Sequence, residues 1–145
     1  TYNSNPGTVS IVFGTASLFP NVFIPGMLDG VAGVKLVANT PGMRSVAGVD
    51  LNHDGFTDIV CGTISVGFGC AYVVFGHNGN WSKTVELAQL NGTDGFKING
   101  ETSFSNSMFG ESVANAGDFN GDSIEDLLIG NPEHDRVYGV FGHAN

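Results

Sequence analysis

Basic residues are scarce. Lys35, Arg44, Lys83, Lys97 and Arg136 are the only five, against 14 acidic residues, and the formal net charge is −9. Scattered in this way they build no patch for a phosphate backbone, which argues against nucleic acid and anionic membrane surfaces as partners. Long apolar runs are missing as well. Nothing approaches the ~18 consecutive apolar residues of a membrane-spanning helix, so membrane insertion is not expected. The chain starts at Thr1 without a Met or a basic-then-apolar leader, and is read as a processed protein, a proteolytic product or a cut piece. Cysteine is limited to Cys61 and Cys70, too few for a disulfide scaffold or a zinc cage. The two flank a Gly-rich stretch, 62–69, that reads as a hairpin loop. They are candidates for a cross-strand disulfide if their Cα atoms come within ~4.4–6.8 Å; the alternative is a pair of small half-buried thiols.

Glycine is plentiful. There are 22 in 145 residues beside only 5 Pro, and 41% of residues are hydrophobic. That composition suits a globular chain with a real core and many tight turns between short strands. Two glycosylation sequons occur, at Asn80 and Asn91. They fit secretion without arguing for it, since about two such triplets are expected by chance from this composition.

The pattern that organises the chain is an internal repeat. Val12-Phe13-Gly14, Val74-Phe75-Gly76 and Val140-Phe141-Gly142 each close an alternating apolar run, at spacings of 62 and 66 residues. Residues 28–36 align without gaps to 90–98 at the same 62-residue offset, both reading as an Asx-Gly turn followed by a strand. A third match sets 50–54 against 118–122 at offset 68, the six extra residues falling in the polar stretch 99–107. The expected division is residues 1–14 as an edge strand completing a blade or a neighbouring chain, 15–76 as blade A and 77–145 as blade B. No long helical period appears, and four short strands per repeat is the pattern of a propeller blade. The fold expected is all-β: two four-stranded antiparallel β-propeller blades plus one extra N-terminal strand, an incomplete propeller.

Seven of the 14 acidic residues fall in two nine-residue windows, 50–58 and 118–126. Oxygen side chains stand at positions 1, 3, 5 and 9 of each: Asp50, Asn52, Asp54, Asp58, and Asp118, Asn120, Asp122, Asp126. A curled loop turns such alternate side chains inward, and the backbone carbonyls of Phe56 and Ile124 at position 7 add another oxygen. Calcium takes six to eight oxygens at ~2.3–2.6 Å, whereas magnesium holds a smaller shell and keeps its waters, so Ca2+ is expected at two sites. Three carboxylates that repel one another become ordered once a cation neutralises them. Asp and Asn also favour turns for their own sake, but two such loops in register within a repeat favour the metal. Neither loop has a Glu at its twelfth position and no flanking helix is apparent, which disfavours an EF-hand. Gly55 suits the sharp turn at position 6; Ser123 holds that place in the second loop and is expected to weaken it.

These residues resemble the FG-GAP repeat, the blade unit of the integrin α-subunit propeller and of many secreted bacterial and protist propellers. Phe109-Gly110-Glu111-Ser112-Val113, the second acidic loop and Leu127-Leu128-Ile129-Gly130-Asn131-Pro132 carry the likeness best. Unit A departs from it, with Gly62-Thr63-Ile64 for Gly-Ala-Pro and Pro41-Gly42 for Phe-Gly. The resemblance implies calcium ligands at the loop positions named above, a metal that stabilises without doing chemistry, and a ring of about seven blades.

The function expected is therefore a calcium-stabilised extracellular module for cell adhesion or structural assembly, non-catalytic, secreted or at the cell surface. Its partners would be the remaining blades of a larger propeller or copies of itself, with a protein or glycan ligand to complete the picture. One alternative is a self-assembling filament or appendage subunit joined by strand complementation; another is a non-catalytic accessory part of a secreted hydrolase. No Gly-x-Ser-x-Gly elbow, His-Glu-x-x-His or phosphate loop is present. His53, His77, His134 and His143 read as turn residues, and Trp81 as an edge cap or, less often, a sugar platform.

Overall fold

A computed structural model describes residues 5–16, 22–64, 67–101 and 107–144. It is all-β. The strands are β1 (Thr8–Val12), β2 (Gly33–Val37), β3 (Met43–Val49), β4 (Asp58–Thr63), β5 (Cys70–Val74), β6 (Thr84–Glu86), β7 (Gly95–Asn99), β8 (Ser112–Gly117), β9 (Asp126–Asn131) and β10 (Arg136–Val140). They form three sheets in the orders β1-β2-β6, β3-β4-β5-β7 and β10-β9-β8. Among the described residues, helix is limited to three-residue 3-10 turns such as Pro25–Met27.

Among the described residues, the expected two four-stranded blades and one extra strand are replaced by one four-stranded sheet between two three-stranded ones. The cause is a shift of phase. The strand after each Asx-Gly turn folds back antiparallel onto the Val-Phe-Gly strand before it, with Val12 opposite Gly33 in one sheet and Val74 opposite Gly95 in the next. Both turns are pinned alike: Asp29 Oδ1 accepts the Val31 and Ala32 N–H groups, and Asn91 Oδ1 accepts that of Thr93. Sheets thus divide between β2 and β3 and between β7 and β8, whereas the sequence repeat divides at 14/15 and 76/77. β1 is the counterpart of β5, already paired to β2. β6 adds a parallel strand to β2, stitching the β5–β7 connection onto the first sheet.

The sheets stack face on face. One core, including Val34, Leu36, Cys61, Cys70, Tyr72, Val74 and Leu87, lies between the first and second sheets. The other, including Val49, Val60, Ala71, Val73, Phe109, Leu127 and Ile129, lies between the second and third. β5 is buried along its whole length because it is covered on both faces, whereas β1 alternates and β10 is mostly exposed. A strand covered on two sides reads as a continuous apolar run; one covered on a single side alternates.

β4 and β5 form the expected hairpin. Cys61 stands opposite Tyr72, and Cys70 opposite Thr63. The cysteines are diagonal neighbours, a relation that separates Cα atoms by about 7–8 Å, beyond the usual disulfide range. Both are free and buried, so the disulfide expectation gives way to the thiol alternative. Burial pushes the Cys61 thiol up to about 12 and raises that of Cys70.

Candidate metal centre

Each acidic loop joins the first two strands of a sheet: 50–58 runs from β3 into β4 and 118–126 from β8 into β9. They share a set of bonds, to which the second loop adds Gly121 N–H to Asp118 Oδ1 (2.6 Å) and Asn120 N–H to Asp126 Oδ2 (3.2 Å). Asp50 accepts the N–H of Asp54 (3.1 Å) on Oδ1 and that of Gly55 (3.0 Å) on Oδ2; Asp118 accepts those of Asp122 and Ser123, both at 2.9 Å. Asn52 and Asn120 accept the Asp54 and Asp122 N–H groups, and their amides donate back to those same carboxylates at 2.9 and 2.8 Å. Asp54 and Asp122 in turn accept from Phe56 and Ile124. Positions 1, 3 and 5 therefore gather on the inside of each curl, as alternation requires.

The ninth position does something that the sequence pattern does not reveal. Asp58 is fully buried, and its Oδ2 accepts Leu51 N–H at 3.0 Å while its Oδ1 accepts Gly76 N–H at 2.8 Å. Asp126 repeats this with Phe119 at 2.8 Å and Gly142 at 2.9 Å. The recurring Val-Phe-Gly glycine is the partner, and it has to be glycine: a Cβ at Gly76 or Gly142 would run into the carbonyl oxygen of Thr57 or Glu125. The tripeptide and the acidic loop, which look like separate motifs in the sequence, form one joint. Asp58 and Asp126 hold the start of the loop to the end of the third strand of the sheet.

Both loops bend through two left-handed residues, and they exchange which is glycine. At position 4 stand His53 (φ 57°) and Gly121 (φ 82°); at position 6 stand Gly55 (φ 86°) and Ser123 (φ 72°). Non-glycine residues resist this region, His less than most. Each loop thus carries one strained residue, so the weakening expected from Ser123 shrinks to the difference between Ser and His in that region.

Burial pushes the Asp58 carboxyl above the usual carboxylate range; the two N–H bonds oppose this, and the charges of Asp54 and Asp50 add to it. Its site therefore sets neighbouring anions against a buried one. Among the described residues no three acidic, imidazole or thiol groups converge as a metal cluster, because Asp50, Asp58, Asp118 and Asp126 direct oxygens at backbone N–H groups. A carboxylate oxygen that accepts one such bond keeps a second lone pair. The inward groups are carboxylates and one amide, with His53 exposed, a donor set that fits a hard divalent cation.

The loops also touch. Glu125, at position 8 of the second loop, accepts the Asp50 N–H on Oε2 at 2.7 Å and the Asn115 side-chain amide at 3.0 Å. His143 N–H reaches the Leu51 carbonyl at 2.9 Å. In the sequence Glu125 looks like an ordinary exposed carboxylate. Its only signal there is alternation: the residue before Asp126 must face away from the second loop's interior.

Trp81 is half-buried. His77 stacks on it with ring centroids 4.2 Å apart, and Phe13 tilts against it at 5.8 Å. It acts as an edge cap on the first core. Asn80 and Asn91, the two sequon asparagines, are exposed.

The FG-GAP repeat family matches this chain at residues 44–65 and 109–144, taking in both loops. Integrin alpha-6 of Homo sapiens is 38% identical over 109 residues, which is 69% of this chain and 8% of that protein. Integrin alpha-6 of Gallus gallus is 36% identical over 109 residues, 69% of this chain and 9% of that protein. The chain thus spans less than a tenth of the length of these relatives.

Proposed function

This chain carries FG-GAP repeats, and from that premise we propose that it is a calcium-stabilised, non-catalytic β-propeller module for adhesion or structural assembly outside the cell. The observation that carries the calcium reading is the set of bonds that the two loops share, around oxygen donors and a buried aspartate whose neighbours are like charges. A cation would relieve that repulsion and bind the folded chain in preference to the unfolded one, so binding would add to stability. Phe56 and Ile124 would contribute backbone carbonyls. The test is thermal unfolding in chelator, then in millimolar calcium or magnesium. Calcium is expected to raise Tm with two ions bound per chain; equal curves in all three would refute the reading.

Its partners are further sheets of the same kind. Leu51 and Phe119 hold the same loop position, yet Leu51 is 5% exposed and Phe119 75%. The difference is the third sheet, whose end reaches Leu51 through His143. Phe119, Phe141 and Val137 are exposed apolar groups on the face where a further sheet would sit. Phe141 is the counterpart of Phe75, which packs on Phe96 of β7. Among the described residues the outer edge of β10 has no strand beside it, where β5 has β7.

The filament alternative fits less well. β1 is already paired to β2, so docking it on a neighbour's β10 would bring one Val-Phe-Gly strand against another, where the repeat calls for the strand after the Asx-Gly turn. Light scattering in calcium and in chelator separates these readings: a monomer refutes self-assembly, and an open polymer refutes the blade reading. Secretion and glycosylation are tested on the native protein by enzymatic deglycosylation, with attachment expected at the exposed Asn80 or Asn91.

A further inference from the structure

The contact between the two loops is more than a boundary. Glu125 Oε2 holds the Asp50 N–H at 2.7 Å, and Asn115 ties the same carboxylate oxygen (3.0 Å) to the Gly48 carbonyl (3.2 Å) just before the first loop. One residue on, Asp126 Oδ1 holds Gly142 N–H at 2.9 Å, and the next N–H, of His143, binds the Leu51 carbonyl at 2.9 Å. Leu51 N–H goes to Asp58 Oδ2 at 3.0 Å. The last two residues of the second loop therefore fix the first two residues of the first loop from both sides. The two ninth-position carboxylates are joined through Gly142, His143 and Leu51 and the bonds between them.

We propose that Glu125 couples the two loops, so that calcium at 118–126 raises the affinity of 50–58 for calcium. This rests on the calcium reading above. A cation in the second loop fixes Asp126 and the backbone that carries Glu125. Glu125 then holds Asp50, the first ligand position of the other loop, in place. The first loop has less ordering left to do when its own ion arrives, and its apparent affinity rises accordingly. The effect is reciprocal: filling the first loop strengthens the second by the same factor. The bridging carboxylate belongs to the later loop of this pair. Thr57 stands at the place of Glu125 in the first loop and offers no carboxylate to a preceding sheet.

The test is a calcium titration of the full chain after chelation, read by calorimetry and by the amide resonances of Gly55 for the first loop and Ser123 for the second. Asp122→Asn disables the second loop and is expected to weaken the first at least ~5-fold, the lower end of usual allosteric couplings. In Glu125→Ala the first loop is already weaker, and adding Asp122→Asn weakens it further by much less than in the wild type, since only the path through Gly142, His143 and Leu51 remains. If Asp122→Asn does not fold, the wild-type titration decides: both amides are expected to move together, more steeply than a single-site curve. Two ions bound with the Gly55 curve indifferent to Asp122→Asn, or two unrelated single-site curves in the wild type, would overturn the coupling and leave the calcium reading standing. No calcium bound by the wild type would remove both.

Discussion

Replacing Asp58 by Ala separates the structural role of the ninth position from any role in metal binding. Its carboxylate is fully buried and accepts two backbone N–H bonds, from Leu51 and Gly76, both themselves buried. Ala leaves those two donors without partners. An unsatisfied buried donor costs about 1–3 kcal/mol, so the loss is roughly 2–6 kcal/mol from two of them. Part of this is returned, since the substitution also relieves the repulsion that helps raise the Asp58 carboxyl. Against a total stability of ~5–15 kcal/mol this is a large change. It should be present with no metal at all. The assay is urea denaturation in excess chelator, read by the fluorescence of Trp81, the only tryptophan, stacked on His77. Asp54→Ala is the control. Asp54 is exposed; it accepts Phe56 N–H at the surface and the amide of the buried Asn52 in a part-buried bond, so its loss should cost about 1 kcal/mol in chelator. Equal midpoints for the two variants would refute the reasoning and return Asp58 to the status of a simple ligand.

Further expectations concern the loops and the thiols. Ser123→Gly should stabilise the chain by about 1 kcal/mol and His53→Gly by somewhat less, since both relieve a left-handed non-glycine residue and His tolerates it better; thermal unfolding in chelator checks the order. Gly76→Ala should destabilise strongly, because its Cβ would meet the Thr57 carbonyl 2.5 Å away; near-wild-type melting would exclude the joint described above. Ellman's reagent should find no reactive thiol in the native chain and two after denaturation, as both cysteines are buried and free. Folding keeps Cys61 neutral up to about 12 against an ordinary value of 9.0. Its contribution to stability is therefore intact below pH 9 and lost as pH rises toward 12, at up to ~1.4 kcal/mol per pH unit. Cys61→Ala should flatten that alkaline decline in a urea titration run at several pH values.

Much of the protein is legible in the order of its residues. The Val-Phe-Gly strands, the Asx-Gly turns and the paired acidic loops recur because each repeat must build the same local bonds, and local bonds leave local patterns. The curl of each loop around positions 1, 3 and 5 is determined in this way, as is the β4–β5 hairpin around residues 62–69.

The tertiary structure decided how the repeats join. A sequence repeat has no preferred starting point, so it cannot assign the strand at 95–99 to the repeat before it or to the one after; pairing with β5 settled that. The diagonal offset of Cys61 and Cys70 came from hairpin register, which two-residue periodicity leaves open. The joint between Asp58 and Gly76 spans 18 residues, and the bond from Glu125 to Asp50 spans 75. The first exists because β5 pairs beside β4 and returns Gly76 to the loop; the second exists only because one sheet stacks on the next and carries distant loops together. Composition and spacing fix which atoms can bond; only the packing of one sheet on the next chooses among partners so far apart.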